Sequence, residues 1–312
     1  MAAPDAAAQA AGSFREPGAW TSTEMADAAP YDMAMSDDTE VDSRVSDPEP
    51  APVAAQPQEP PYVDKAAVLG KVFFDTPDGP RACSGTAVTD PRHPGASSLV
   101  WTAGHCVHSG RTGTWYRNIV FVPSYNNEAL SRVSSADRGS RRISPLGVWW
   151  ADRASVSPGW AREGEASGGA GAPFDYAVLH VRLVGGPDTS LEQTIGYAIP
   201  VALDAPAIPS IPTLKVWGYP AEAPFGGNLL FSCQDRPTRL SLASDEPTLY
   251  RIGCTMTGGA SGGGWFRAEA DGTLELISDT SVGPTDARWL AGPRLGAEAR
   301  KMLDEIGAVA PS

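Results

Sequence analysis

The stretch Cys254-Thr-Met-Thr-Gly-Gly-Ala-Ser-Gly-Gly-Gly-Trp-Phe266 sets Ser261 in a run of small residues between strand-forming Cys254 and Trp265-Phe266. Glycine adopts backbone conformations closed to other residues, so this run lets the N–H groups of Gly259 and Ser261 converge on an oxygen beside the serine. One such donor lowers the barrier to acyl transfer by roughly 3 kcal/mol when it meets a developing oxyanion. A serine hydroxyl is a weak nucleophile at neutral pH and needs a base within hydrogen-bond reach. Upstream, Thr102-Ala-Gly-His-Cys106 supplies an imidazole in His105, whose ordinary pKa of about 6.5 suits it to take a proton and return it. Phe174-Asp-Tyr-Ala-Val-Leu179 supplies Asp175 at the head of an apolar run, Tyr176 to Leu183, that can bury a carboxylate. A buried carboxylate holds the second imidazole nitrogen as a donor and offsets the positive charge that forms. Asp152 and Asp204 are further candidates for that orienting role.

Composition bounds the partners. The chain has 312 residues, four cysteines and a formal net charge of −13. No basic cluster interrupts that acidic balance, so no general attraction to nucleic acid is expected. No run of about 20 apolar residues exists, so no transmembrane anchor is expected. The even cysteine count reads as two disulfides and an oxidising compartment, with three pairings formally open. His93, His108 and His180 show no metal-ligand spacing with the cysteines, so no metal is expected, and acyl transfer by these groups needs no cofactor. His108 and His180 read as structural. Met1 to Gly12 lacks the positive start and apolar core of an export signal.

Residues 1–62 are rich in Ala, Pro, Asp and Glu, with twelve acids against Arg15 and Arg44. Phe14, Trp20 and Tyr31 are too scattered there to build a core. Such a segment cannot bury enough apolar surface to offset chain entropy, so it is expected to be disordered, either a propeptide or a linker.

Beyond it the chain reads as short strands broken by Gly, Pro, Ser and Asp. First-lobe strands are predicted at Val68–Phe74, Ala82–Val88, Ser98–Ala103, Asn118–Val122, Ile143–Trp150 and Tyr176–Leu183. Second-lobe strands are predicted at Tyr197–Leu203, Thr213–Gly218, Asn228–Cys233, Thr248–Ile252, Gly263–Arg267 and Thr273–Ser278. The expectation is an all-β fold of two six-stranded antiparallel barrels, residues 63–190 carrying His105 and Asp175 and residues 191–312 carrying Ser261. The active site would then lie in the cleft between barrels. Gly159 to Pro173 reads as a surface loop and Gly185 to Glu192 as the crossing between lobes. Gly296 to Ile306 has apolar residues at helical spacing, predicting a C-terminal α-helix.

The sequence resembles the trypsin-like, chymotrypsin-fold serine peptidases through four motifs in that family's order. They are Cys83-Ser-Gly-Thr-Ala-Val88, the Thr-Ala-Gly-His-Cys run ending at Cys106, Asp175-Tyr-Ala-Val-Leu179 and Gly258-Gly-Ala-Ser-Gly262. Gly218-Tyr-Pro220 and the Thr-Gly-Gly lead into the serine are more similar to the bacterial glutamyl-endopeptidase-like branch. The resemblance covers about residues 66 to 310. It implies a secreted, monomeric serine endopeptidase that hydrolyses protein or peptide substrates through an acyl-enzyme. The alternative is a non-catalytic protease-like binding protein. Together with proximity it favours the pairs Cys83–Cys106 and Cys233–Cys254. It also implies a primary pocket near Thr255, Ser281 and Gly283, with neither a basic nor a glutamate preference signalled. Asp279 would favour a basic side chain if the face it shares with Ser281 lined that pocket. The chain departs from the family at Ala260, where trypsin-like enzymes carry an aspartate, so ammonium-triggered activation is not expected. Gly264 stands where many relatives have proline.

Overall fold

The computed structural model describes residues 11–14, 20–35, 39, 41–130, 142–165 and 169–308. Six strands, β5 (Leu69–Thr76), β6 (Gly79–Val88), β7 (Leu99–Thr102), β8 (Arg117–Pro123), β9 (Trp149–Val156) and β10 (Ala177–Leu183), form an antiparallel ladder. Pairing of β8 with β9 closes it into a barrel. Closure puts one face of every strand inside, where Val72, Val100, Phe121 and Trp149 are fully buried; each such side chain contributes about 1.5–3 kcal/mol by leaving water. The strand predicted at Ile143–Trp150 forms later, at β9.

The second lobe has two sheets. One contains β11 (Leu214–Gly218), β12 (Phe231–Asp235), β15 (Gly264–Ala268) and β16 (Leu274–Asp279). The other contains β13 (Thr238–Leu240), β14 (Leu249–Gly253), β17 (Val282–Pro284) and β18 (Trp289–Gly292). Leu214, Val216, Ile252, Trp265 and Ile277 form a shared apolar cluster. The Cys233–Cys254 disulfide, with a Cα–Cα separation of 5.6 Å, ties β12 to the end of β14. A second closed six-stranded ladder is not formed among the described residues. The predicted strand Tyr197–Leu203 makes only isolated bridges, Ile199 to Val88 and Val201 to Leu276. Pro200, lacking an N–H, stands between them and interrupts regular pairing. That stretch therefore links the lobes. The C-terminal helix forms at Ala297–Gly307 and buries Ala299, Met302, Leu303 and Ile306.

Two predicted loops contain helix. Ser157 caps Pro158–Glu163 by accepting the Trp160 N–H, with proline in its favoured first turn. Ser190 and Gln193 form a reciprocal capping box for Leu191–Ile195.

The front segment corrects the expectation of disorder wherever it is described; residues 1–10, 15–19, 36–38 and 40 lie outside the described residues. It places β1 (Ala11–Ser13) on β9, β2 (Ala29–Pro30) on β6, β3 (Met33–Met35) on β17 and β4 (Gln56–Pro57) on β12. Its helix Ser22–Asp27 carries a capping box, Thr21 with Glu24. The scattered aromatics build no core of their own because they pack on the lobes. Phe14 meets Trp115, Trp20 meets Phe73 and Tyr31 meets Phe74. Edge pairing also satisfies backbone groups that would otherwise need water.

Candidate active site

Strands β7 and β10 pair antiparallel with Ala177 opposite Thr102. His105 lies three residues beyond Thr102 and Asp175 two before Ala177, so the ladder delivers both side chains to the same barrel end. The Cys83–Cys106 disulfide holds the His105 turn against β6. Asp175 is fully buried. Its Oδ1 accepts the His105 backbone N–H at 2.8 Å, and its Oδ2 lies 2.7 Å from His105 Nδ1. Ser281 Oγ donates to the same Oδ2 at 2.6 Å. Burial alone would lower the His105 pKa. The charge and hydrogen bond of Asp175, assisted by the Asp32 charge and the Tyr31 backbone, outweigh burial and hold it above its ordinary value.

Of the other carboxylates considered, Asp152 is occupied by His180 Nδ1 at 2.6 Å and Arg182 Nε at 3.1 Å. His108 is buried against Trp115, and burial pushes its imidazole down to about 4. Trp160, from the helix that replaces the predicted loop, stands beside the His105 ring with centroids 6.3 Å apart.

Ser261 lies between β14 and β15 and is 1% exposed. Its neighbours require glycine: Gly259 has φ +96° and Gly262 φ +76°. A Cβ on Gly262 would lie 2.2 Å from Thr102 Oγ1, so no larger residue lets the serine turn sit this close to β7. Ser84 of β6 fixes the turn from the first lobe. Its N–H donates to Ser261 O at 2.7 Å and its Oγ to Gly259 O at 2.9 Å. The same Oγ accepts the Tyr219 N–H of the Gly-Tyr-Pro motif at 2.9 Å. The N–H groups of Gly259 and Ser261 have no acceptor among the described residues.

The serine hydroxyl donates to Asp32 Oδ1 at 3.0 Å, a residue of the front segment that sequence reading gave no role. His105 Nε2 is buried without a partner among the described residues. Burial raises the Asp32 pKa, against the opposing pull of His105 and the Ser261 hydrogen bond.

The pocket expectations divide. Ser281 is directed to Asp175 instead of into a pocket. Asp279 shares its face as expected, but that face meets the first lobe. Its Oδ1 accepts Trp101 Nε1–H at 2.9 Å, and burial raises its pKa well above the carboxylate range. Thr255 is bound by the front segment, its Oγ1 accepting the Ala55 N–H at 2.9 Å. Gly283 pairs with Ala34. Cys83, His105 and Cys106 bring metal-ligand atom types within 4.8 Å of one another. The two sulfurs are joined as a disulfide and offer no thiolate.

No protein-family model matches the chain, and no curated protein does. Solved structures do. A thermostable serine protease AL20 from an extremophilic microorganism is 32% identical, with TM-score 0.64, over 80% of this chain and 100% of its own. The protease Anisep from Arthrobacter nicotinovorans is 26% identical, with TM-score 0.62, over 82% of this chain and 100% of its own. A Glu endopeptidase bound to MPD is 15% identical, with TM-score 0.57, over 84% of this chain and 98% of its own, a likeness of fold alone. With a closed antiparallel barrel, a terminal helix and a full-length relative at this identity, the chain belongs to the trypsin-like serine peptidases and is a serine endopeptidase.

Proposed function

We propose that Ser261, His105 and Asp175 cleave peptide bonds through an acyl-enzyme. The observation that carries this reading is the two-point grip of Asp175 on His105, on Nδ1 and on the backbone N–H, at 2.7 and 2.8 Å. It leaves Nε2 as the free face of the ring. Rotation of the Ser261 hydroxyl from Asp32 towards Nε2 completes a nucleophile, base and orienter. Ser261 Oγ attacks the scissile carbonyl as Nε2 takes its proton, and the N–H groups of Gly259 and Ser261 receive the oxyanion. The imidazolium returns that proton to the leaving amine. Water, deprotonated by the same Nε2, then releases the acid. Asp175 stays ionised throughout, with Ser281 and the His105 N–H sharing its charge.

Thr255 and Gly283 would flank the substrate once the front segment is displaced. The alternative reading as a binding protein would be favoured by a missing triad side chain, and all three are present. The two disulfides support function in an oxidising, extracellular setting. No described helix is long and apolar enough to cross a membrane. A monomer acting on proteins or peptides is the simplest form of this reading.

The test is fluorophosphonate labelling followed by peptide mapping, on the unchanged chain and on Asp32→Ala, which frees the hydroxyl. The label is expected on Ser261 and is expected to vanish in Ser261→Ala and His105→Ala. Labelling that survives either substitution would overturn the mechanism.

A further inference from the structure

The active-site cleft is crossed by the chain's own residues 29–35. We propose that this strap is an autoinhibitory plug that keeps the peptidase latent, with Asp32 occupying the serine hydroxyl. The proposal rests on the catalytic reading of Ser261 and His105 above.

Seven consecutive residues bridge the two lobes. Ala29 and Pro30 pair with Arg81 and Ala82 of β6 in the first lobe, and Tyr31 N–H donates to Ala82 O at 3.0 Å. Met33 to Met35 pair with Val282 to Pro284 of β17 in the second. Asp32 falls between these anchors, over the catalytic residues. Both pairings use backbone groups that an extended peptide substrate would also find at the cleft edges. Strap and substrate therefore compete for one surface.

Side chains lock the register. The Tyr31 ring stands edge-on to Phe74 and Tyr116 and 5.9 Å from the His105 ring. Its hydroxyl lies 2.8 Å from that of Tyr116. Met33 and Met35 are buried while Ala34 between them is exposed, the alternation of a strand laid on a surface. A solvated linker would show neither the alternation nor the buried methionines.

The chemistry makes this a block and not a substrate. The group beside Ser261 Oγ is a carboxyl side chain, whose carbon is shielded by charge and carries no amine to expel. No bond is made or broken, so the strap is not consumed. The serine gives its hydrogen bond to Asp32 and not to His105 Nε2. The Asp32 charge also stabilises the protonated imidazole, the form that cannot act as a base.

The experiment compares the full chain with two full-length variants, Asp32→Lys and the pair Tyr31→Ala with Met33→Asp. Two rates are read: fluorophosphonate labelling of Ser261 and amide hydrogen exchange of residues 29–35. The unchanged chain is expected to protect the strap and to label slowly. Both variants are expected to lose that protection while β5 to β10 keep theirs, and to label roughly 100-fold faster, the inverse of the small open fraction in the parent. A peptide of residues 20–35 added to a released variant is expected to slow labelling again, and failure to slow it counts against the plug. Fast labelling of the unchanged chain with the strap protected would overturn the plug and leave the peptidase intact. Free exchange of residues 29–35 in the unchanged chain would also overturn it. A strap released without any gain in labelling would remove both the plug and the catalytic reading.

Discussion

The barrel strands β5 to β10 and the described residues of the front segment that crosses them are both ordered, by different means. The barrel closes its own ladder and buries Val72, Val100, Phe121 and Trp149 inside itself. The front segment holds ten of the thirteen net negative charges and too few large apolar residues for a core. It lends short strands to the sheet edges and inserts single side chains, such as Met25, Met33 and Tyr62, into surfaces the lobes provide. Composition thus tells whether a segment can order alone, not whether it is ordered. A segment held this way is expected to open as a local unit while its host stays folded. That is a suitable property for a removable block over a catalytic centre.

The sharpest test of the contrast removes chemistry from the lobes while the strap is already open. In an Asp32→Lys background, Asp175→Asn is expected to lower kcat/KM on a peptide ester about 10⁴-fold, because the imidazole loses its oriented tautomer. A loss under tenfold would deny Asp175 its role.

Next is the covalent frame. Cys83→Ser with Cys106→Ser opens a crosslink between residues 23 apart in sequence. The expected cost is about 3 kcal/mol, roughly 10²-fold in the unfolding constant. Denaturant unfolding should show it across the whole barrel, whereas the strap substitutions should leave the unfolding midpoint of the lobes nearly unchanged. Equal global losses from both would erase the distinction between host and strap.

A smaller effect is expected at Ser281→Ala. Its hydrogen bond to a charged carboxylate is worth about 1.5 kcal/mol, near tenfold in rate. Because Ser281 steadies Asp175 and does not face substrate, kcat should fall with KM little changed. A rise in KM alone would return Ser281 to the pocket.

The smallest is a shift in pH dependence. His105 must be neutral to act, so activity is present above its pKa and lost as pH falls through it. Asp175 and Asp32 hold that pKa above the ordinary value. Removing the Asp32 charge in Asp32→Ala should therefore move the acid limb of labelling downward relative to the unchanged chain. An unmoved limb would mean that Asp32 does not sense the imidazole.

Much of the site was legible. Histidine and serine sit in motifs whose small residues have one evident use, and Asp175 heads the only apolar run suited to bury it. Some helix-start signals are equally local. Thr21-x-x-Glu24 and Ser190-x-x-Gln193 are capping boxes, and Ser157-Pro158 opens the helix that brings Trp160 to His105. Other features left no local trace. Ser84 is one serine among many until β6 places it under the catalytic turn, and Ser281 faces Asp175 only because the lobes meet there.

By itself the sequence determined the β-rich class, the terminal helix and, with the family likeness, both cysteine pairs, and it named the side chains proposed to react. Residue chemistry and short-range periodicity are local properties that survive in a string of letters. Tertiary structure alone decided that the first lobe closes into a barrel, that Pro200 keeps Tyr197–Leu203 out of a second ladder, and that Ser261 meets Asp32. That last contact joins residues 229 apart in the chain. No spacing rule encodes it, because it exists only where two lobes and a borrowed strand converge on one point.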